Sequence, residues 1–198
     1  MARYFRSPPR VPTTAQVEAC LAHLDTDATA RDHVLIAMAG MTGLRVHELV
    51  ALDWGQLITD GGNVRHRIVL VPEHTKGNVG GDVVLPERLR WKLGQYRTWC
   101  ARRGLRVEGD APVFVSRNHR RVSVRRVQQL WKAVQVETGI DRPYKLHALR
   151  HYFATTLYRA TRDIRVTQVA MRHASVTSTM IYSHINNEDV EQAVERAF

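Results

Sequence analysis

Apolar residues at Val17, Cys20, Leu21 and Leu24 follow the i, i+3, i+4, i+7 spacing of one helix face. Thr13-x-x-Gln16 ahead of them has the form of a capping box, and Asp25 to Asp27 supplies the turn that ends the helix. Thr29 stands where it can cap a second helix through Met41, with Val34, Leu35, Met38 and Met41 on one face and Gly43 as its stop. A short helix follows over Arg45 to Leu52. Residues 64–71 and Val83-Val84-Leu85 are rich in β-branched and apolar side chains, and Gly77, Gly80 and Gly81 lie between them, so two short strands joined by a loop are expected. From Pro86 the period is again helical, with helices expected near 87–103, 123–137, 146–160, 165–172, 177–184 and 187–197. The class predicted is mainly α with a small antiparallel β-sheet (α+β), organised as a basic arm over residues 1–12, one domain over 13–185, and a terminal helix over 186–198.

The 198 residues, 44% of them hydrophobic, suffice for one sizeable core. No apolar run reaches the roughly 20 residues needed to span a bilayer, and the N-terminus lacks the apolar stretch of a signal peptide. A cytoplasmic, nucleoid-associated protein with no membrane partner is expected. Cys20 and Cys100 lie far apart in helical contexts, which favours buried thiols over a disulfide or a metal pair.

Charge changes the picture more. A formal net charge of +10 points to a polyanionic partner, nucleic acid before membrane. Arg117, Arg120, Arg121, Arg125, Arg126 and Lys132 fall in a stretch, Ser116 to Val136, without an acid; it reads as a phosphate-tracking surface or as a solvated helix face, and the total charge favours the first. Arg3, Arg6 and Arg10, kept extended by Pro8, Pro9 and Pro12, form either an arm along DNA or a tail.

On the helix near 146, Leu146, Leu149, Phe153 and Leu157 form an apolar stripe, and His147, Arg150, His151 and Ala154 occupy another face. A guanidinium beside an imidazole suits an anionic group in transit, since one offers a rigid fork and the other exchanges a proton near neutral pH. His147 and His151 at i and i+4 also have a metal-ligand spacing, without nearby acids or cysteines to complete a site. The chain has no Gly-Lys pair, hence no Walker loop, and Asp25-x-Asp27 reads as turn or capping residues rather than a two-metal nuclease cluster.

Thr42-Gly43-Leu44-Arg45-x-x-Glu48-Leu49, Thr75-Lys76-Gly77-Asn78, His147-x-x-Arg150-His151, and His173 followed nine residues later by Tyr182 resemble, in order and spacing, the tyrosine recombinase (phage integrase) family. The resemblance implies a site-specific recombinase that cleaves and rejoins DNA through a covalent 3′-phosphotyrosine, with no cofactor and no metal. It implies Tyr182 as nucleophile, Arg45 and Arg150 as clamps on the scissile phosphate, His147 and His173 as hydrogen-bonding or proton-transfer groups, and Lys76 as leaving-group acid. Glu48 is expected to orient Arg45 or to be a helix-surface charge, and His151 to support the site. The partners implied are double-stranded DNA carrying recombination sites, a homo-tetramer on that DNA, and an accessory DNA-binding protein in place of the N-terminal helical domain that family members carry. The 186–198 helix packs either on a neighbouring protomer or back on its own domain. Arg172 stands where the family usually has glycine, and Ser178 where it has threonine. The rival readings are a type IB topoisomerase, sharing the tyrosine chemistry but relaxing supercoils, and a DNA-binding accessory protein that does not use its site.

Overall fold

In a computed structural model, residues 9–70 and 81–173 are described, together with Thr179 and Glu195, both helical. Helix α1 (Thr14–His23) starts at the capping box: the Thr13 hydroxyl accepts the Gln16 N–H at 3.2 Å and the Gln16 amide oxygen accepts the Thr13 N–H at 3.0 Å. A single 3-10 turn, Asp27–Thr29, precedes α2 (Ala30–Thr42). Thr29 occupies the N-cap position without capping, because its hydroxyl turns back to the Leu24 carbonyl at 2.6 Å and serves the preceding turn instead. Nor does α2 bury a single face: every residue from His33 to Gly40 is buried, since α1, α3 (Val46–Ala51) and α5 (Glu87–Arg102) pack around it. Gly43 ends α2 in the left-handed region at φ 62°, where a residue without Cβ is favoured.

A one-turn helix, α4 (Trp54–Leu57), follows α3 and was not foreseen in the hydrophobic pattern, which is too short there to show a period. Strands β1 (Arg67–Leu70) and β2 (Gly81–Val84) pair antiparallel, with Ile68 opposite Val83 and Leu70 opposite Gly81. Ile68, Leu70 and Val83 point into the core while Arg67 and Val69 face outward, the period-two alternation of a half-buried sheet. Val64, expected in the strand, instead bridges Ile58.

α5 lies along α2 and contributes Tyr96, which packs against Trp54, Trp99 and Phe114 at centroid distances of 5.8, 5.7 and 6.0 Å and donates its hydroxyl to the Val113 carbonyl at 3.0 Å. Aromatic burial on this scale dominates a core of this size. Both cysteines are free thiols buried in that core. Asp25 and Asp27 take up Lys92 of α5 and its C-cap Arg103 at 2.8 and 2.7 Å, so these carboxylates tie the α1–α2 turn to α5. α6 (Val124–Glu137) is capped by Ser123, and α7 (His147–Thr161) and α8 (Ile164–Ala170) complete the described helices.

The chain divides into two compact units, a larger one over Arg10–Phe153, and a smaller one that takes in the chain from Ala154 onward. Among the described residues no helix is long and apolar enough to cross a membrane. Residues 1–8 of the expected 1–12 arm, the loop over 71–80 and most of the expected helices at 177–184 and 187–197 lie outside the described residues.

Candidate active site

The larger unit gathers a set of chemically able side chains around the junction of α2 and α3. Gly43 turns the chain sharply, and two residues later Arg45 is the N-cap of α3 with extended backbone (ψ 150°). Glu48, at the third helical position, accepts the Arg45 backbone N–H at 2.8 Å through Oε2 and the Arg45 Nη1–H at 2.8 Å through Oε1. Its side chain is fully buried, whereas that of Arg45 is 26% exposed. Glu48 is therefore not a surface charge. It both caps the helix and fixes the guanidinium, leaving the cation partly accessible.

Arg150, on the second turn of α7, is 3% exposed and donates Nη1–H to the Gly43 carbonyl. The same three-residue turn thus presents Arg45 and anchors Arg150. Guanidinium stays protonated at any accessible pH, so a permanent positive charge is built into this wall. An alanine Cβ at Gly43 would lie 2.5 Å from Cδ1 of Phe153, so glycine is required here both by φ and by contact.

His147 and His151 stack edge to face, ring centroids 4.7 Å apart. Burial, then the charges of Arg150 and Arg45, hold His147 below the ordinary imidazole range. His151 is pushed down to about 4, again by burial first and then by His147 and Arg150. Both rings are neutral at pH 7, and His147, exposed at the helix start, has a ring nitrogen able to accept a proton. Among the described residues no group of three or more His, Cys, Asp or Glu side chains is arranged to hold a metal ion.

The burial of α7 differs from the expected stripe. Ala148, Leu149, Arg150 and Ala154 are the buried positions, while Leu146, Phe153 and Leu157 are half-buried. Arg150 is inside because a backbone carbonyl on α2's last turn receives it, a pairing that periodicity does not reveal. A cavity of about 570 Å³ opens beside this helix, floored by Leu44 and Leu49 and edged by Lys132, Lys145, His147 and Arg150.

His173 belongs to the smaller unit. α8 begins at Asp163, whose carboxylate accepts the Arg165 and Val166 N–H groups, and ends in a Schellman turn: Arg172 N–H bonds the Val169 carbonyl at 2.9 Å and His173 N–H bonds the Gln168 carbonyl at 3.1 Å. Arg172 is the left-handed residue of that turn, at φ 52°. A glycine preference at this position has a physical cause, and arginine adopts the same conformation at some cost in strain. Directly after it, the His173 ring nitrogen Nδ1 lies 3.0 Å from the buried Thr179 hydroxyl, and its carbonyl accepts from the Gln168 amide at 3.1 Å. Lys76 and Tyr182 lie outside the described residues.

Of the basic stretch, Arg117, Arg120, Arg125, Arg126 and Lys132 are exposed. Arg121 is exposed as well, but its guanidinium already donates to the Val50 and Leu52 carbonyls at 3.0 and 3.1 Å and pairs with Asp53 at 2.5 Å. It closes the C-terminal end of α3. Sequence reasoning also passed over Lys145 and Gln135. The latter had a signal: a polar side chain following Val127, Leu130, Trp131 and Val134 along the apolar phase of α6.

Residues 10–189 match the phage integrase family. Tyrosine recombinase XerD of Ralstonia nicotianae (strain ATCC BAA-1114 / GMI1000) is 35% identical over 194 residues, covering 92% of this chain and 59% of the relative. Tyrosine recombinase XerC of Azotobacter vinelandii (strain DJ / ATCC BAA-1303) is 30% identical over 167 residues, covering 84% of this chain and 52% of the relative. The chain spans a little over half the length of these curated relatives. Among solved structures, the XerH site-specific recombinase bound to difH substrate in a pre-cleavage complex superposes with a TM-score of 0.76 at 23% identity, over 98% of this chain and 56% of that one. The XerA recombinase crystal structure gives 0.74 at 23% identity, over 98% and 66%. These likenesses establish the same fold, and with the match across nearly its whole length the chain belongs to the phage integrase family.

Proposed function

We propose that this chain carries the strand-cleaving unit of a site-specific DNA recombinase, with Tyr182 as its nucleophile. The observation that carries the reading is the junction at Gly43, where one turn of chain orients Arg45 through Glu48 and anchors Arg150 through its carbonyl, with a neutral His147 one turn away on α7.

The chemistry follows from what an in-line phosphoryl displacement demands. The Tyr182 phenol oxygen attacks phosphorus, its proton passing to His147, while the bond from phosphorus to the 5′ oxygen breaks and Lys76 protonates the departing alkoxide. Negative charge grows on the non-bridging oxygens, and two preorganised guanidiniums stabilise that state more than the ground state. His173, held by its Schellman turn and Thr179, supplies a further hydrogen bond to the phosphate. The phosphotyrosine retains the energy of the bond it replaces, so rejoining to another 5′ hydroxyl runs by the reverse displacement and calls for no cofactor.

Double-stranded DNA carrying recombination sites is the substrate, a reading supported by the XerH site-specific recombinase bound to its difH substrate, and Arg117, Arg120, Arg125, Arg126 and Lys132 track its phosphates. Assembly as a homo-tetramer on DNA, with the 186–198 segment packing between protomers, belongs to the same reading, as does an accessory DNA-binding protein.

The test is trapping on a nicked suicide duplex, read on a denaturing gel. Wild type should give a covalent protein–DNA band in the presence of EDTA, and Tyr182→Phe should give none. A band that survives Tyr182→Phe, or a wild type that binds its site and leaves it intact, overturns the assignment. Relaxation of any supercoiled plasmid without paired sites would move the reading to a topoisomerase.

A further inference from the structure

The first turn of α7 is delivered by a segment, 139–146, with no regular secondary structure, and a buried side chain of α6 grips its backbone just ahead of the helix. Gln135, in the last turn of α6, is fully buried. Its amide oxygen accepts the Tyr144 N–H at 2.7 Å, and its amide nitrogen donates to the Tyr144 carbonyl at 3.2 Å and to the Trp131 carbonyl at 2.7 Å. The side chain therefore meets both backbone groups of Tyr144, as a neighbouring strand does in a sheet, where no strand is present. The next two residues, Lys145 and Leu146, offer their carbonyls to the N–H groups of Ala148 and Leu149 at 2.9 and 3.0 Å, so the clamped segment is itself the first turn's acceptor set. The other side of Tyr144 is also fixed: its hydroxyl donates to the Gln16 amide oxygen at 3.1 Å and its ring lies 4.0 Å below the Arg10 guanidinium.

We infer that Gln135 is a positioning residue for the proposed strand cleavage, setting through Tyr144 the place and rotation at which α7 presents His147 and Arg150. The inference rests on the reading of those two residues given above. Its physical basis is that a reacting constellation tolerates about 1 Å of misplacement before the rate falls by roughly a hundredfold, and three residues of irregular chain do not hold such a tolerance unaided. A buried amide satisfied on both sides does.

The experiment compares Gln135→Met and Gln135→Glu with Val127→Ala, a buried apolar truncation on the same helix that serves as the control for plain destabilisation. Methionine keeps length and volume and abolishes all three hydrogen bonds. Glutamate keeps the acceptor for the Tyr144 N–H and loses the donors. Two readouts are taken well below each unfolding midpoint. Amide hydrogen exchange is expected to show protection lost in Gln135→Met selectively at Ala148 and Leu149, with Val127→Ala losing it evenly across the core; this readout does not depend on catalysis. Single-turnover cleavage at saturating DNA is expected to fall about tenfold to a hundredfold in Gln135→Met at unchanged DNA affinity, less in Gln135→Glu, and to stay at the wild-type rate in Val127→Ala. Unselective exchange, or a Gln135→Met enzyme that cleaves at the wild-type rate, overturns the inference. A wild type that never cleaves overturns the proposed function instead and leaves the exchange result to decide the clamp.

Discussion

The Arg45–Glu48 pair is where the structure makes its sharpest energetic statement. Glu48 is fully buried and accepts two hydrogen bonds from Arg45, one from the backbone and one from the guanidinium, while Arg45 is about a quarter exposed. Removing either partner is thus not symmetric. Glu48→Ala strands a cation that water partly reaches, and the expected loss is about 2–3 kcal/mol, the low end for breaking a buried pair, including the lost N-terminal capping bond. Arg45→Ala takes from a fully buried carboxylate the guanidinium that lies 2.8 Å away, and the expected loss is about 3–5 kcal/mol. The double variant removes that buried carboxylate as well, so it should be no less stable than Arg45→Ala alone, a coupling of about 2 kcal/mol or more. Urea unfolding of the four proteins reads this directly, and in a chain of this size each kcal/mol corresponds to about 2–4 °C in Tm. Glu48→Gln keeps one acceptor oxygen, and it should slow cleavage at saturating DNA by about tenfold to a hundredfold with DNA affinity nearly unchanged. Additive losses in the double variant, or a Glu48→Gln enzyme with the wild-type cleavage rate, would refute the reasoning.

Gly43→Ala combines left-handed strain with a Cβ 2.5 Å from Phe153, so a loss of about 2–4 kcal/mol and a marked fall in cleavage are expected by thermal unfolding and single-turnover assay, because the displaced carbonyl is the one that anchors Arg150. Arg172→Gly relieves the strain at φ 52° and should leave stability unchanged or raise it by up to about 1 kcal/mol, with cleavage retained; a clear loss in calorimetry would show that the arginine side chain outweighs the strain. His151 takes up its proton at about 4 in the folded state against an ordinary 6.5, so the unfolded chain binds the proton first. Stability should therefore fall as pH drops from about 6.5 towards 4 and level off below it, by on the order of 2 kcal/mol once solvent screening of a half-buried ring is allowed for, and His151→Gln should flatten that slope in urea melts.

What the sequence showed and what it hid divide along a physical line. The capping box at Thr13, the left-handed stop at Gly43 and the alternation of Ile68 and Leu70 are local, and local signals are written in neighbouring residues. Glu48 was legible as an orienting partner of Arg45 because three residues separate them on one helix. Thr29 was misjudged as a cap because a carbonyl outside its helix competed for the hydroxyl. The burial of Arg150 and the carbonyl contacts of Arg121 join groups tens of residues apart, and the Gln135 clamp reaches nine residues on into irregular chain, so nothing in spacing announces these meetings. Charge counting in particular does not show the Arg121 contacts, since a guanidinium that closes a helix end looks, in sequence, like any other in a basic stretch.

The central claim is the identity of the nucleophile, and peptide mass spectrometry of the trapped complex addresses it most directly. Wild type is trapped on suicide DNA in EDTA, the DNA is digested to its last nucleotide, and the protein is cleaved with trypsin, which releases His173–Arg196, a peptide containing one tyrosine. The account predicts that this peptide carries the nucleotide mass and that fragmentation places it on Tyr182. An adduct on a serine, a histidine or any other peptide would contradict it.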